Sequence, residues 1–167
     1  FQPKVLPFGV RGGVAHFSRV MSSLFSSLQW RILLIYLDDL LVFSKSFDEN
    51  LGRLEIVFKR LMEAGLKLKP SKCHLLKRSV RFLGHVVSSD GISPNADKVR
   101  SVVKFPVPRD VEKLKSFLGL AGYYRDFVSN YAAIAKPLTE LTSKNSEFMW
   151  NAKCEQAFQE LKGRLAK

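Results

Sequence analysis

The chain has 167 residues, 46% of them hydrophobic, enough apolar material for one or two compact bodies with a real core and too much for a disordered tail. Lys and Arg number 27 against 15 Asp and Glu, a net charge of +12, which draws polyanions before any specific contact forms and makes nucleic acid the leading partner class, with a generic basic surface as the alternative. Two distant cysteines, three histidines outside any metal-ligand spacing and apolar runs far shorter than the roughly 20 residues of a membrane helix exclude a disulfide framework, a Cys/His metal site and a membrane span.

After Gly12 and Gly13, apolar residues at Val14, Phe17, Met21, Leu24, Phe25 and Leu28 carry the spacing of a helix with one buried face. Arg31 to Tyr36 and Leu40 to Ser44, largely Ile, Leu and Val, flank Asp38 and Asp39 and predict a tight hairpin. Ser46 and Glu49 spell a capping box, Leu51, Leu54, Phe58, Leu61 and Met62 follow at helical spacing, and Gly65 is the stop. Val80 to Val87 predicts one strand, turned back by Ser89, Asp90 and Gly91 toward Ile92 in a second hairpin. Ser93 and Pro94 predict the start of a short helix ending at Val103, and Phe105 to Pro108 a stiff linker. Val111, Leu114, Phe117, Leu118 and Ala121 mark a further helix, as do Ile134, Leu138 and Leu141. Asn151 predicts the N-cap of a last amphipathic helix carrying Ala157, Phe158, Leu161 and Leu165. Hairpins alternating with helices predict an α+β fold, with a boundary near Pro94 where a small helical domain begins.

Two adjacent carboxylates at the tip of an apolar hairpin repel one another, and only solvent or a cation relieves that repulsion. An isolated Asp-Asp pair is most often a solvated turn. The neighbours of Asp38 and Asp39 reverse that weighting. Tyr36, Leu37, Asp38 and Asp39 spell Tyr-x-Asp-Asp, which resembles motif C of reverse transcriptases. Leu6, Pro7, Phe8 and Gly9 resemble the Pro-Phe-Gly opening of motif B, ahead of the helix containing Phe17 and Met21. The segment Gly65, Leu66, Lys67, Leu68, Lys69, Pro70, Ser71, Lys72 and Cys73 resembles motif D, and Phe82, Leu83, Gly84 and His85 resemble the primer grip of motif E. The run Leu114, Lys115, Ser116, Phe117, Leu118, Gly119, Leu120, Ala121, Gly122, Tyr123, Tyr124 and Arg125 is similar to the thumb of gypsy-type LTR retrotransposons and is the sharpest match. Phe148, Trp150, Cys154, Ala157, Phe158 and Leu161 resemble the beginning of the connection region, so the motifs run in family order from about Leu6 to about Leu161.

The resemblance implies a reverse-transcriptase palm over 1–93, a thumb over 94–145 and the start of the connection region over 146–167. It implies RNA-directed DNA polymerisation on an RNA or DNA template-primer with deoxynucleotides, using two magnesium ions about 4 Å apart. Partners would be the rest of a Pol polyprotein, its fingers, ribonuclease H and integrase, with no membrane. The implied location is intracellular, a cytoplasmic virus-like particle or the nucleus. Asp38 is implied as a direct metal ligand, Asp39 as a weaker or more distant one, Tyr36 as lying beneath the primer end, and Lys72 as a proton donor to the leaving pyrophosphate, although with Lys67 and Lys69 close by a solvated basic turn explains all three lysines and outweighs that role. Pro7, Phe8, Gly9 and Arg11 would line the nucleotide side of motif B, and Phe82, Leu83, Gly84 and His85 would face the primer. Lys113, Lys115 and Arg125 would meet phosphates, while Gly119 and Gly122 would let a helix approach the minor groove. Helix packing is the other use for those glycines, Tyr123 and Tyr124 read equally as core aromatics, and His85 could simply complete its hairpin.

The sequence departs from the family pattern in two places. In the family a further metal-binding aspartate stands in motif A, before the Pro-Phe-Gly segment, and no acidic residue precedes Asp38 here. The chain opens at Phe1 rather than methionine, so the expectation is a fragment with an incomplete metal site and no fingers, inactive by itself. Its sheet would keep an edge covered by another chain or by Phe1 to Val10. Where the family usually has Asn-Ala-Pro-Ala-Thr-Phe, this chain has Gly12, Gly13, Val14, Ala15, His16 and Phe17, which loosens the helix start. Both departures suit an alternative, a catalytically inactive, domesticated or truncated module that binds nucleic acid or protein. A purely structural interaction domain is a third reading and predicts no salt-sensitive nucleic-acid binding.

Overall fold

The structure, a computed structural model, describes residues 9–143 and 147–166 and divides into two compact units, Phe1–Lys77 and Arg78–Lys167. The α+β expectation holds in both.

In the first unit, α1 (Gly13–Leu24), β1 (Leu33–Tyr36), β2 (Asp39–Val42) and α2 (Phe47–Glu63) are followed by a single 3-10 turn at Pro70–Lys72. β1 and β2 pair antiparallel from Leu33 opposite Val42 to Tyr36 opposite Asp39, so only Leu37 and Asp38 form the turn and Asp39 already belongs to the ladder. Met21, Phe25, Leu33, Val57 and Leu61 are buried together, which joins one face of each helix to the hairpin. The Arg60 guanidinium donates to the Leu24 carbonyl at 2.9 Å and to Ser27 Oγ at 3.0 Å, giving a partner to a carbonyl that the end of α1 leaves open. The edge expected to be covered by Phe1 to Val10 depends on residues 1–8, which lie outside the described residues.

The ends of α2 follow the sequence closely. Ser46 Oγ accepts from the Glu49 N–H at 3.2 Å, while Glu49 Oε2 accepts from the Lys45 N–H at 2.8 Å, one residue before the position a capping box usually uses. At the other end, Leu66 N–H donates to the Leu61 carbonyl and Gly65 N–H to the Met62 carbonyl, with Gly65 at φ +68, the paired bonds of a Schellman motif.

The second unit begins with a meander, β3 (Ser79–Phe82), β4 (His85–Ser88) and β5 (Gly91–Pro94). The single strand expected over Val80 to Val87 is therefore wrong. The chain reverses at Leu83 and Gly84, both at positive φ (48° and 71°), the pattern of a type I′ turn. Leucine carries no turn signal, so the apolar run concealed the break. Ser93 and Pro94 do not start a helix as expected. They pair with Val86 and His85 in β5, and α3 (Ala96–Val103) is capped by Asn95, whose Oδ1 accepts from the Asp97 N–H at 2.9 Å. Arg81 on β3 reaches Asp97 at 2.9 Å, tying the meander to α3.

The remaining helices are α4 (Val111–Gly122), α5 (Tyr131–Glu140) and α6 (Ala152–Leu165), as the apolar spacing predicts, with a short 3-10 turn at Arg125–Phe127 between α4 and α5. Asp110 and Asn151 cap α4 and α6 by accepting from Lys113 N–H at 2.7 Å and Cys154 N–H at 3.0 Å. Their common core holds Val102, Leu114, Phe117, Tyr124, Leu138, Phe158 and Leu161. Phe117 and Phe158 lie 4.5 Å apart at its centre, each such buried ring contributing roughly 1.5–3 kcal/mol. Lys162 fastens the linker to this core, donating to the Phe105 carbonyl at 2.8 Å while its ammonium lies 4.6 Å from the Phe158 ring centre.

The Lys45 N–H, with the Arg53 guanidinium beside it, holds the Glu49 carboxyl below the usual carboxylate range. A depressed folded value contributes stability above the unfolded value of about 4.3 and loses it as pH falls through the folded value. Thermal melts from pH 6 down to pH 3 should accordingly show a shallower acid decline in Glu49→Gln than in the parent, whereas Ser46→Ala should cost about 1 kcal/mol across that range.

Candidate functional site

Asp38 stands in the turn between β1 and β2, and Asp39 is the first residue of β2, so their side chains leave successive backbone positions. Both are exposed, as is Tyr36. Among the described residues neither carboxylate makes an ion pair or a side-chain hydrogen bond. An exposed carboxylate pair with no protein counterion leaves its oxygens to water or a cation. Carboxylate oxygens suit a hard ion such as Mg2+. The described residues nevertheless contain no group of three or more His, Cys, Asp or Glu that could hold a metal. This pair therefore fits part of a magnesium shell and does not close one.

The turn that presents these groups is strained. Leu37 has φ +54 while Asp38 does not share the positive sign, the pattern of a type II′ turn whose first central position usually belongs to glycine. A leucine there costs on the order of 1–3 kcal/mol.

The other expected residues of this unit are local and exposed. Lys72 ends the 3-10 turn and is exposed, with no ion pair to either aspartate among the described residues. Gly9 (φ +83) and Arg11 lie in the exposed turn before α1. Gly12, the N-cap of α1, is left-handed and gives the helix no side-chain cap, the loose start the glycine pair predicts. Pro7 and Phe8 fall outside the described residues.

In the second unit, Phe82, Leu83, Gly84 and His85 form the tip of the β3–β4 hairpin, and that tip is bonded to the end of α4. Tyr123 Oη donates to the Leu83 carbonyl at 2.5 Å and Tyr124 Oη to the Gly84 carbonyl at 2.6 Å. His85 Nδ1 lies 2.8 Å from the same Leu83 carbonyl. A carbonyl has no proton to give, so this contact is a hydrogen bond with the proton on Nδ1. The imidazole stacks on Tyr123 at 5.3 Å and meets Tyr124 edge-on at 5.5 Å and Phe127 at 5.7 Å. Burial pushes the Tyr124 hydroxyl above the ordinary phenol range, with the Asn95 backbone N–H drawing it partly back. The sequence shows adjacent tyrosines after a glycine, but nothing in it joins them to a turn 40 positions upstream.

α4 buries Leu114, Phe117 and Ala121 and turns Lys113, Lys115 and Gly119 outward, with Tyr123 and Arg125 exposed just beyond it. Lys115, Gly119 and Gly122 recur at helical spacing, one stripe along the helix. A Cβ on Gly119 would meet nothing within 4 Å, so this glycine makes room for no neighbour inside the protein. A Cβ on Gly122 would approach Tyr131 Oη at 3.4 Å, an ordinary packing contact.

Relief of the strained turn is measurable. By urea unfolding, Leu37→Gly should lie within about 1 kcal/mol of the parent or above it, since strain release offsets the added freedom of the unfolded chain. Leu37→Val, which puts a branched carbon at positive φ, should lose at least about 1 kcal/mol.

A family model for reverse transcriptase (RNA-dependent DNA polymerase) matches residues 1–87. The chain is 44% identical over 142 residues to the retrovirus-related Pol polyprotein from transposon 297 of Drosophila melanogaster, aligning 85% of its own length with 13% of that protein. It is 34% identical over 172 residues to the Pol polyprotein from the gypsy transposon of the same organism, aligning 96% of its length with 17% of the relative. It thus spans under a fifth of the curated relatives it matches. Among solved structures, a foamy viral protease-reverse transcriptase in complex with an RNA/DNA hybrid superposes with a TM-score of 0.81 at 30% identity, over 96% of this chain and 22% of that one. With the family model covering more than half of its length and gypsy-type relatives aligned along nearly all of it, this chain belongs to the reverse transcriptase family of LTR retrotransposons.

Proposed function

We propose that the chain is the palm, thumb and first connection segment of an RNA-directed DNA polymerase that works within a longer Pol polyprotein. The observation that carries this reading is the Tyr36–Asp39 hairpin, which offers two solvent-facing carboxylates, without a counterion among the described residues, at the tip of a strained turn. The motif assignment adds 1–93 as palm, 94–145 as thumb and 146–167 as the start of the connection. Fingers, ribonuclease H and integrase would be supplied by the rest of the polyprotein, in a virus-like particle or the nucleus.

Bound magnesium would supply a charge that lowers the pKa of the primer hydroxyl and stabilises the incoming triphosphate. Asp38 would hold that ion directly and Asp39 less directly, with a third carboxylate contributed from outside these 167 residues. Tyr36 is half exposed beside them and would support the primer end. Lys72 is exposed and would donate a proton to departing pyrophosphate. Gly9 and Arg11, with Pro7 and Phe8 before them, would border the nucleotide. Lys113, Lys115 and Arg125 would neutralise backbone phosphates of the template-primer, and the bare outer surface at Gly119, with Gly122 one turn on, would lie against its minor groove.

The alternative, a module that binds nucleic acid without catalysis, is favoured by the uncapped α1 start at Gly12. It predicts binding without extension.

The test is primer extension on an RNA template with magnesium and deoxynucleotides, using the polyprotein that carries this chain. Asp38→Asn should reduce extension at least about 100-fold, the scale of losing one charge-stabilising contact, while template-primer affinity holds. Equal rates in parent and variant would sink the assignment of Asp38; binding without extension in the parent would select the alternative.

Gly119 separates stability from binding. Because nothing packs against its Cα, Gly119→Ala should raise the unfolding free energy by up to about 1 kcal/mol through helix propensity. It should nevertheless weaken template-primer affinity in a titration, since a methyl group would stand where the groove approaches. A stabilised variant with unchanged affinity would place the nucleic acid elsewhere.

A further inference from the structure

The Leu83–Gly84 turn ends a hairpin whose ladder stops at Phe82 and His85. Neither turn carbonyl takes part in that ladder, yet both accept a hydrogen bond from a tyrosine hydroxyl, and the two donors are consecutive residues closing α4. Tyr124 is 1% exposed and rooted in the helical core, so its hydroxyl cannot move without repacking α4. Tyr123 is 54% exposed and is braced by the His85 ring at 5.3 Å. The fit depends on Gly84: a Cβ there would come within 3.1 Å of Tyr123 Oη and 3.2 Å of its Cε1, at a φ of +71 that disfavours any side chain. Packing alone would be served by phenylalanine at both positions. The hydroxyls add two directional bonds, each aimed at a turn carbonyl that has no ladder partner.

We infer that Tyr123 and Tyr124 are positioning residues whose hydroxyls fix the height and tilt of the Leu83–Gly84 turn, and through it the 3′ end of a bound primer. The inference rests on the polymerase reading above and on the resemblance of Phe82, Leu83, Gly84 and His85 to the primer grip, which would set this turn against the primer. Misplacing reacting atoms by about 1 Å can slow a reaction about 100-fold, so a turn held from one side only would cost rate more than affinity. Tyr123→Phe and Tyr124→Phe, made in the polyprotein that carries this chain, each delete one oxygen and keep the ring.

Single-turnover extension, template-primer titration and thermal melting are measured for both variants. The expected result is extension slowed roughly 10- to 100-fold at saturating primer and nucleotide, with template-primer affinity unchanged within error. Tyr123→Phe keeps its ring against His85, so both variants should remain folded at the assay temperature, and rates are compared at equal folded protein. Parent-like extension in both variants would overturn the inference while leaving the polymerase reading intact. Loss of rate that follows only the loss of folded protein would also overturn it, by making the hydroxyls purely structural. A parent that binds template-primer but does not extend it would reject the polymerase reading, and the positioning role would fall with it.

Discussion

Both hairpins of functional interest turn within two residues, Leu37–Asp38 and Leu83–Gly84, and each places a leucine at positive φ. A tight turn of this kind needs a backbone twist that matches the strands, and leucine resists that twist through its Cβ. Such a conformation persists only where the surroundings over-determine it. For the first hairpin the surroundings are Met21, Phe25, Leu33, Val57 and Leu61, drawn from both helices and the strand that leads to Tyr36. For the second they are the two tyrosine hydroxyls and the aromatic cluster around His85.

These two modes of support suit different chemistry. The aspartate hairpin is gripped at its base by apolar packing, and its tip is left bare, which suits carboxylates that must exchange water for a cation. The Leu83–Gly84 hairpin is gripped at its tip, carbonyl by carbonyl, which suits a backbone segment that must present a fixed surface. α4 serves that second hairpin twice: its inner face anchors Tyr124 among Leu114, Phe117 and Ala121, and its outer face carries Lys115 and Gly119 into solvent. One helix thus links the support of the turn to a basic, side-chain-poor stripe.

Elements set by neighbouring residues were legible in the sequence. The Ser46 cap, the Gly65 stop, the Asn151 cap and the apolar spacing of α1, α2, α4, α5 and α6 depend on residues within a turn or two of one another. The reading failed where an apolar run hid a reversal, at Leu83, and where a proline suggested a helix start but closed a strand, at Pro94. In both cases the deciding factor was pairing with a strand elsewhere in the meander, which a local pattern does not contain.

The sequence by itself determined the α+β class, the helix ends, the acidic pair in its Tyr-x-Asp-Asp setting and the family the motifs belong to, because each is written in residues close together along the chain. Only the tertiary structure decided that Tyr123 and Tyr124 hold the Leu83–Gly84 turn, and that Gly119 faces open space while Gly122 faces Tyr131. Those facts arise when the end of α4 meets the meander turn and the start of α5 within its own unit. Contacts between residues 40 positions apart form through burial of a shared core, and sequence spacing carries no record of which partners that burial will select.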